Sequence, residues 1–421
     1  MITLTKIQES IVERGCEILK QKGVLYLAME MRTGKTLTSL SIADASEKKS
    51  VLFITKKKAM RSIETDYEKL SPKFRLTVIN DSYQAIHKQA AKGEKFDLII
   101  IDEAHCYGAF PVPSLRTIEA KALVGSTDLI LLSGTPSPET AGVQLFFQFF
   151  ISSRGAFSEY GDTRRSFYRW AADFVIPTTK YIGGVPHKDY SRGRSEMIKA
   201  AVKDYFITCS QKEAGIETII SERIHRIEMP ETLQRLIYEL KTKKIYYFRR
   251  FALGDKILCD TAVKEMQKVH QISSGSVITE EGEYLRLSTY KADYIKKEFA
   301  GRKKAIFYIY KSEGELLREC FPDHTETPEE FAAAGAGTVF ICQIVKGSMG
   351  VDLSTADELI FFNIHFAAVQ YWQARSRLSN YKRKETARIN WIFSKTGIEN
   401  KIHEAVKNKK DYTTTFYKRG I

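Results

Sequence analysis

At 421 residues and 43% hydrophobic content, the chain exceeds one small module and holds apolar residues enough for two or three cores. Lysine and arginine outnumber aspartate and glutamate by 65 to 51, and the resulting +14 suits a polyanionic partner. Six cysteines (Cys16, Cys106, Cys209, Cys259, Cys320, Cys342) stand singly, which excludes a paired zinc-ligand pattern or a disulfide framework. No run approaches the ~20 apolar residues that cross a bilayer. With no basic segment and apolar stretch at the N-terminus, the expectation is a cytoplasmic protein without a membrane anchor.

From residue 24 to 135, short apolar runs alternate with longer amphipathic stretches: Val24 to Met29, Val51 to Thr55, Leu98 to Ile101 and Leu129 to Leu132. Runs of this kind, spaced by helical lengths, predict buried parallel strands in an α/β sheet. The rhythm returns in Ala305 to Tyr310, Val339 to Cys342 and Leu359 to Phe362. Two α/β lobes are therefore expected. Between them the texture is aromatic and charged, with helical periodicity in Thr232 to Phe251 and Ala262 to Ile272, and Pro177 to Arg194 reads as an exposed loop. The implied boundaries are a first lobe at 1–150, a mainly helical insertion at 151–285, and a second lobe at 286–421. The last 51 residues carry 13 Lys/Arg against 4 Asp/Glu, equally suited to phosphate contact or to a solvated helical face.

The sharpest local signal is Thr33-Gly34-Lys35-Thr36, which follows an apolar strand and opens a helix with Leu37, Leu40 and Ala43 along one side. A helix N-terminus there presents free N–H groups to phosphates, Lys35 reaches the terminal phosphates, and the Thr36 hydroxyl can coordinate magnesium. Met29 occupies the place of the pattern's first glycine. Further on, Leu98 to Ile101 runs into Asp102-Glu103-Ala104-His105. A strand ending in two adjacent acids puts Asp102 where it can hold magnesium and Glu103 where it can polarise the attacking water. A third strand runs into Ser133-Gly134-Thr135-Pro136, hydroxyls that can link the nucleotide site to a neighbouring element. Together these segments point to nucleotide hydrolysis.

In these motifs the chain resembles superfamily 2 helicases, and within them Swi/Snf-type DNA translocases, particularly compact bacterial and phage-like members, over nearly its whole length. Met29 to Thr36 looks like motif I, Asp102 to His105 like motif II (the DEAH box), and Ser133 to Pro136 like motif III. Gln8, after Leu4-Thr5, matches the glutamine with which the family reads adenine. Ala305 to Tyr310 resembles motif IV and Gly347 to Leu353 motif V. Gln370 to Asn380 resembles motif VI, whose two arginines lie three residues apart; aligning on Gln373-Ala374 places the first at Arg377, whereas the second falls on Asn380. Arg375 or Arg383 could stand in.

The resemblance implies two RecA-like P-loop lobes and an ATP and Mg2+ site. Lys35, Asp102, Glu103, Arg377 and Arg375 would be catalytic. Gln8, Arg32, Thr33, Gly34, Lys35, Thr36, Gly350 and Asp352 would hold the nucleotide, with Thr36 and Asp102 on the metal. Lys56, Ser82, Thr135 and Gly347 would grip nucleic acid. The 168 residues between Pro136 and Ala305 exceed a simple linker, and Phe167 to Phe174 and Gln267 to Gly275 resemble landmarks of the family's helical protrusions. The basic, aromatic run Lys241 to Arg250 could touch phosphates or simply cover apolar surface with lysine stems. The leading expectation is a monomeric translocase on double-stranded or branched DNA, in a bacterial or phage-infected cytoplasm, of the kind that serves DNA repair or recombination. A strand-separating DNA or RNA helicase and a nucleotide-gated binding switch are the alternatives.

Overall fold

The computed structural model describes residues 4–137, 141–182, 185–215, 220–248, 256–344, 353, 355–367, 371 and 386–408. The chain divides into two compact units, Met1–Glu217 and Thr218–Ile421. Each unit is an α/β lobe built on an all-parallel sheet with helices on its faces, the arrangement of a RecA-like lobe.

In the first lobe the sheet strands are β1 (Val24–Met29), β2 (Ser50–Thr55), β3 (Arg75–Asn80), β4 (Leu98–Ile101), β5 (Asp128–Leu132) and β6 (Phe206–Cys209), in the order β3-β2-β4-β5-β1-β6. Alternate side chains leave opposite faces of each strand. Tyr26, Leu52, Ile54, Ile99, Ile101 and Leu131 therefore pack into one core with Phe146, Phe147, Phe157, Phe167 and Trp170. Leu25, Leu27, Val51, Phe53, Ile100 and Ile130 pack into a second core beneath the first helix. Both faces are covered, which is why these strands read as continuous apolar runs.

The first helix, Lys6–Lys22, begins with a reciprocal cap between Thr5 and Gln8 and stops at Gly23, whose φ of 68° a side chain would resist. Its buried stripe, Ile11, Val12, Ile18 and Leu19, recurs at helical spacing. Gly15 lets it approach the helix Lys35–Ala45: a Cβ there would come within 2.6 Å of Ile42 Cδ1. The second helix is thus enclosed between sheet and helix, and even its Thr38, Ser39 and Ser41 are buried.

In the second lobe the sheet strands are β7 (Ile220–Ile227), β8 (Lys304–Tyr308), β9 (Val339–Gln343), β10 (Glu358–Phe361) and β11 (Ala387–Ser394), ordered β9-β8-β10-β11-β7. Phe307, Phe361, Trp391 and Phe393 lie in the core on one face and Ile306, Ile341, Ile360 and Ile392 in the core on the other. A satellite core of Leu233, Leu236, Leu240, Ile272, Val277 and Leu285 sits between the helices Glu231–Lys243 and Ala262–Ser273 and two short hairpins.

The stretch 151–285 combines helices with short strands. It supplies β6 to one sheet and β7 to the other, plus three hairpins. The helix expected over Thr232 to Phe251 ends at Lys243, because Lys244 turns left-handed (φ 61°) and Ile245–Tyr247 pairs antiparallel with Lys256–Leu258. That break divides the basic run from Lys241 between helix end and strand. The expected loop at Pro177 to Arg194 is an antiparallel hairpin, Thr178–Ile182 with Val185–Asp189. Helix Ser166–Phe174 inserts Phe167 and Trp170 into the first lobe's aromatic core.

Candidate nucleotide site of the first lobe

An all-parallel sheet gathers every strand's carboxyl end on one edge, and ligands of open α/β sheets sit outside that edge. In the first lobe this edge carries the loop after β1, Thr55 and Lys56 after β2, Ser82 after β3, Asp102 to His105 after β4, and Ser133 to Thr135 after β5. Three of the sequence motifs, together with Lys56 and Ser82, thus converge because their strands run the same way.

The loop after β1 turns through Arg32, at a φ of 65°, and Gly34, at a φ of 86°, before helix Lys35–Ala45 starts. No side chain caps that helix, so its first-turn N–H groups are left for a ligand. Lys35 folds back over the loop, its Nζ donating to the carbonyls of Met29 (3.0 Å) and Glu30 (3.2 Å). A Cβ placed on Gly134 would lie 3.6 Å from Lys35 Nζ, so the segment after β5 passes directly beside the ammonium.

Asp102 Oδ2 accepts from the Thr55 hydroxyl at 2.8 Å, and Oδ1 accepts from the backbone N–H of Glu103 at 2.9 Å. Although Asp102 keeps some access to solvent, desolvation by the surrounding strands pushes its pKa up to about 6; the Glu103 carboxylate adds to the rise, while Thr55 and Lys35 oppose it. Glu103 itself sits at a φ of 49°, left-handed for a residue with a side chain. Its Oε2 lies 3.2 Å from His105 Nδ1, and that nitrogen is 3.1 Å from Ser133 Oγ. Burial works against a proton on His105, but Cys106 and Glu103 outweigh it and raise the imidazole's pKa. Ser133 Oγ in turn accepts from the Thr135 N–H at 3.1 Å. The strand ends of β4 and β5 are therefore joined by one polar chain from Glu103 through His105 to Ser133 and Thr135.

The remaining expected contacts have identifiable positions. Gln8 is engaged at both ends of its amide: Oε1 accepts from Thr5 N at 3.0 Å, and Nε2 donates to the Thr33 carbonyl at 3.2 Å. Lys56 is ion-paired to Asp81, which also holds Arg116 at 3.0 Å. Ser82 caps the helix Tyr83–Ala91 by accepting from Ala85 N. Thr33 is buried, with its hydroxyl on the Glu30 carbonyl at 2.7 Å, and Thr36 is half-buried at the helix start.

No family model matches the chain, and no curated protein matches it. Among solved structures it is similar to the Sulfolobus solfataricus SWI2/SNF2 ATPase core in complex with dsDNA, with 15% identity, a TM-score of 0.42, and coverage of 100% of this chain and 93% of that one.

Gly347, Gly350, Asp352, Arg375 and Arg377 lie outside the described residues. Among the described residues no helix is long and apolar enough to cross a membrane, and all six cysteines are free thiols. Sequence reading missed the sixth strand, whose end runs alongside the loop after β1. A sequence signal did exist: Phe206 to Cys209 is a short β-prone run closed by a serine.

Proposed function

We propose that the chain is an ATP-driven nucleic-acid motor, most specifically a translocase on double-stranded or branched DNA. The observation that carries the ATPase reading is the meeting of Lys35, Asp102, Glu103 and Gly134 on one sheet edge, beside a helix whose N-terminus has no side-chain cap.

Lys35 and the first-turn N–H groups would bind the phosphates, and Glu103, held against His105, would orient the attacking water and draw its proton. The donor set suits magnesium: Asp102 is a carboxylate whose pKa is raised by desolvation and by the neighbouring Glu103, and Thr36 offers a hydroxyl at the helix start. When bound, the metal would neutralise charge on the phosphate oxygens. Arg377, with Arg375 as the substitute, is proposed as the transition-state cation, while Gly350 and Asp352 are proposed to complete the nucleotide contacts. Lys56, Ser82, Thr135 and Gly347 are proposed to touch the sugar-phosphate backbone; the +14 net charge supports such a partner.

The strand-separating reading has one observation in its favour. Hairpin Thr178–Ile182/Val185–Asp189 has an exposed second strand, including Val185 and Lys188, as a wedge between strands requires.

The deciding experiment measures ATP turnover by the full chain with duplex, branched and single-stranded DNA and with RNA, beside Lys35→Ala and Glu103→Gln. A translocase on duplex is stimulated most by duplex or branched DNA, and a strand-separating enzyme by single strands, with unwinding of a tailed duplex. Each substitution is expected to lower turnover by about a hundredfold or more. Turnover equal to the unaltered chain in both variants refutes the site.

A further inference from the structure

A phosphate cradle needs successive backbone N–H groups turned to one side, so the carbonyls of the same peptide units must turn to the other. The loop Glu30-Met31-Arg32-Thr33-Gly34 has a single glycine with which to do this, and Arg32 adopts its left-handed φ of 65° at a cost of roughly 1 kcal/mol or more. Such a conformation persists only where neighbouring groups hold it.

The end of β6 supplies that hold. Cys209 accepts from Glu30 N at 2.8 Å, Gln211 N donates to Glu30 Oε2 at 2.7 Å, and Gln211 Nε2 donates to the Met31 carbonyl at 2.9 Å. In a trans peptide the C=O and the following N–H point in opposite directions, so fixing the Met31 carbonyl on Gln211 turns the Arg32 N–H away from Gln211. Gln211 is itself anchored, because Ser210 N and Oγ both donate to Glu213 Oε2 at 2.7 Å and close a tight turn around it. We infer that Gln211, from the sixth strand's end, is a positioning residue for the phosphate loop, setting the peptide plane between Met31 and Arg32 for nucleotide binding. This inference rests on the ATP-binding reading above.

The pairing of β1 with β6, from Tyr26↔Phe206 to Met29↔Cys209, uses backbone groups alone and survives loss of the Gln211 side chain. A structural latch and a positioning residue therefore give different results. The experiment titrates a fluorescent ATP analogue with magnesium against the full chain, Gln211→Ala and Gln211→Glu, and records a thermal melt of each without nucleotide. Gln211→Ala, which loses one donor, is expected to weaken binding about tenfold. Gln211→Glu keeps the size but sets an acceptor against the Met31 carbonyl, so it is expected to weaken binding more than Gln211→Ala, with both melts within about 2 °C of the unaltered chain.

Binding within twofold of the unaltered chain in both variants overturns the inference, as does a lowered melt with unchanged binding, and as does Gln211→Glu proving milder than Gln211→Ala. If the unaltered chain itself binds no nucleotide, the ATP-binding reading fails first, and the inference falls with it.

Discussion

The two lobes share a parallel sheet and covered faces but treat the polar groups at the sheet's carboxyl edge in opposite ways. In the first lobe Lys35 leans on two loop carbonyls, Asp102 holds a raised pKa, and the helix beside them has no side-chain cap. In the second lobe several of the described polar groups near the strand ends bond one another. Glu313 accepts from Ser274 Oγ and Asn363 Nδ2 on one oxygen and from Ile309 N and Tyr310 N on the other. Lys291 is ion-paired to Glu399 at 2.9 Å with both side chains fully buried, and Ser394 Oγ also reaches Glu399 at 2.9 Å. The first edge leaves a helix start without a side-chain cap, whereas the described part of the second ties its polar groups into a buried scaffold.

That contrast can be broken most forcefully by Lys35→Ala, which should lower turnover by about a hundredfold or more while leaving the urea midpoint almost unchanged, because its side chain is only half-buried and donates to carbonyls of the loop. A large loss of stability would place Lys35 in the scaffold instead. Next, Glu399→Ala should cost about 3–5 kcal/mol in urea unfolding, since it leaves the buried Lys291 charge alone. The pair Lys291→Met with Glu399→Leu should recover most of that loss; if it recovers none, the ion pair is not the cause.

A third test uses pH. Asp102 has a folded pKa of about 6, above its ordinary value of 3.8, so the folded state holds its proton longer than the unfolded chain. Its ionisation therefore weakens the fold as pH rises from about 4 to 6, and the penalty is fully present at pH 7. Asp102→Asn should raise the melting temperature at pH 7 without nucleotide and flatten the change between pH 4 and 6. An unchanged pH profile would contradict the desolvation argument. The smallest effect is expected of Ser82→Ala, about 1 kcal/mol from the lost helix cap. If Ser82 also touches phosphate, DNA affinity should fall by more than the stability change explains.

Much of the first lobe is written into local sequence. The runs at Val24, Val51, Leu98 and Leu129 become β1, β2, β4 and β5, and the loop and acid pair they carry meet because parallel strands share an edge. What local sequence hides is pairing at a distance. Ile220–Ile227 scatters three isoleucines among polar and charged residues without regular alternation, and nothing nearby announces that it joins Ala387–Ser394. Phe206–Cys209 is only four residues long, and its place beside Val24–Met29 is set by pairing across 180 residues. The Gly183-Gly184 pair was a hairpin signal that the surrounding proline and basic residues obscured. Gln211 could not be found at all from motifs, because its partners lie 180 residues upstream.

The neighbours of β1 also set a timetable for synthesis. Tyr26 emerges early, yet its partner Phe206 is made 180 residues later, and Ile220 must likewise await Ala387. A nascent chain stopped before residue 206 therefore carries a fully apolar strand with one side unpaired. Such an open edge invites self-association, so premature termination or slow translation across residues 150–205 should yield aggregates rather than an active first lobe.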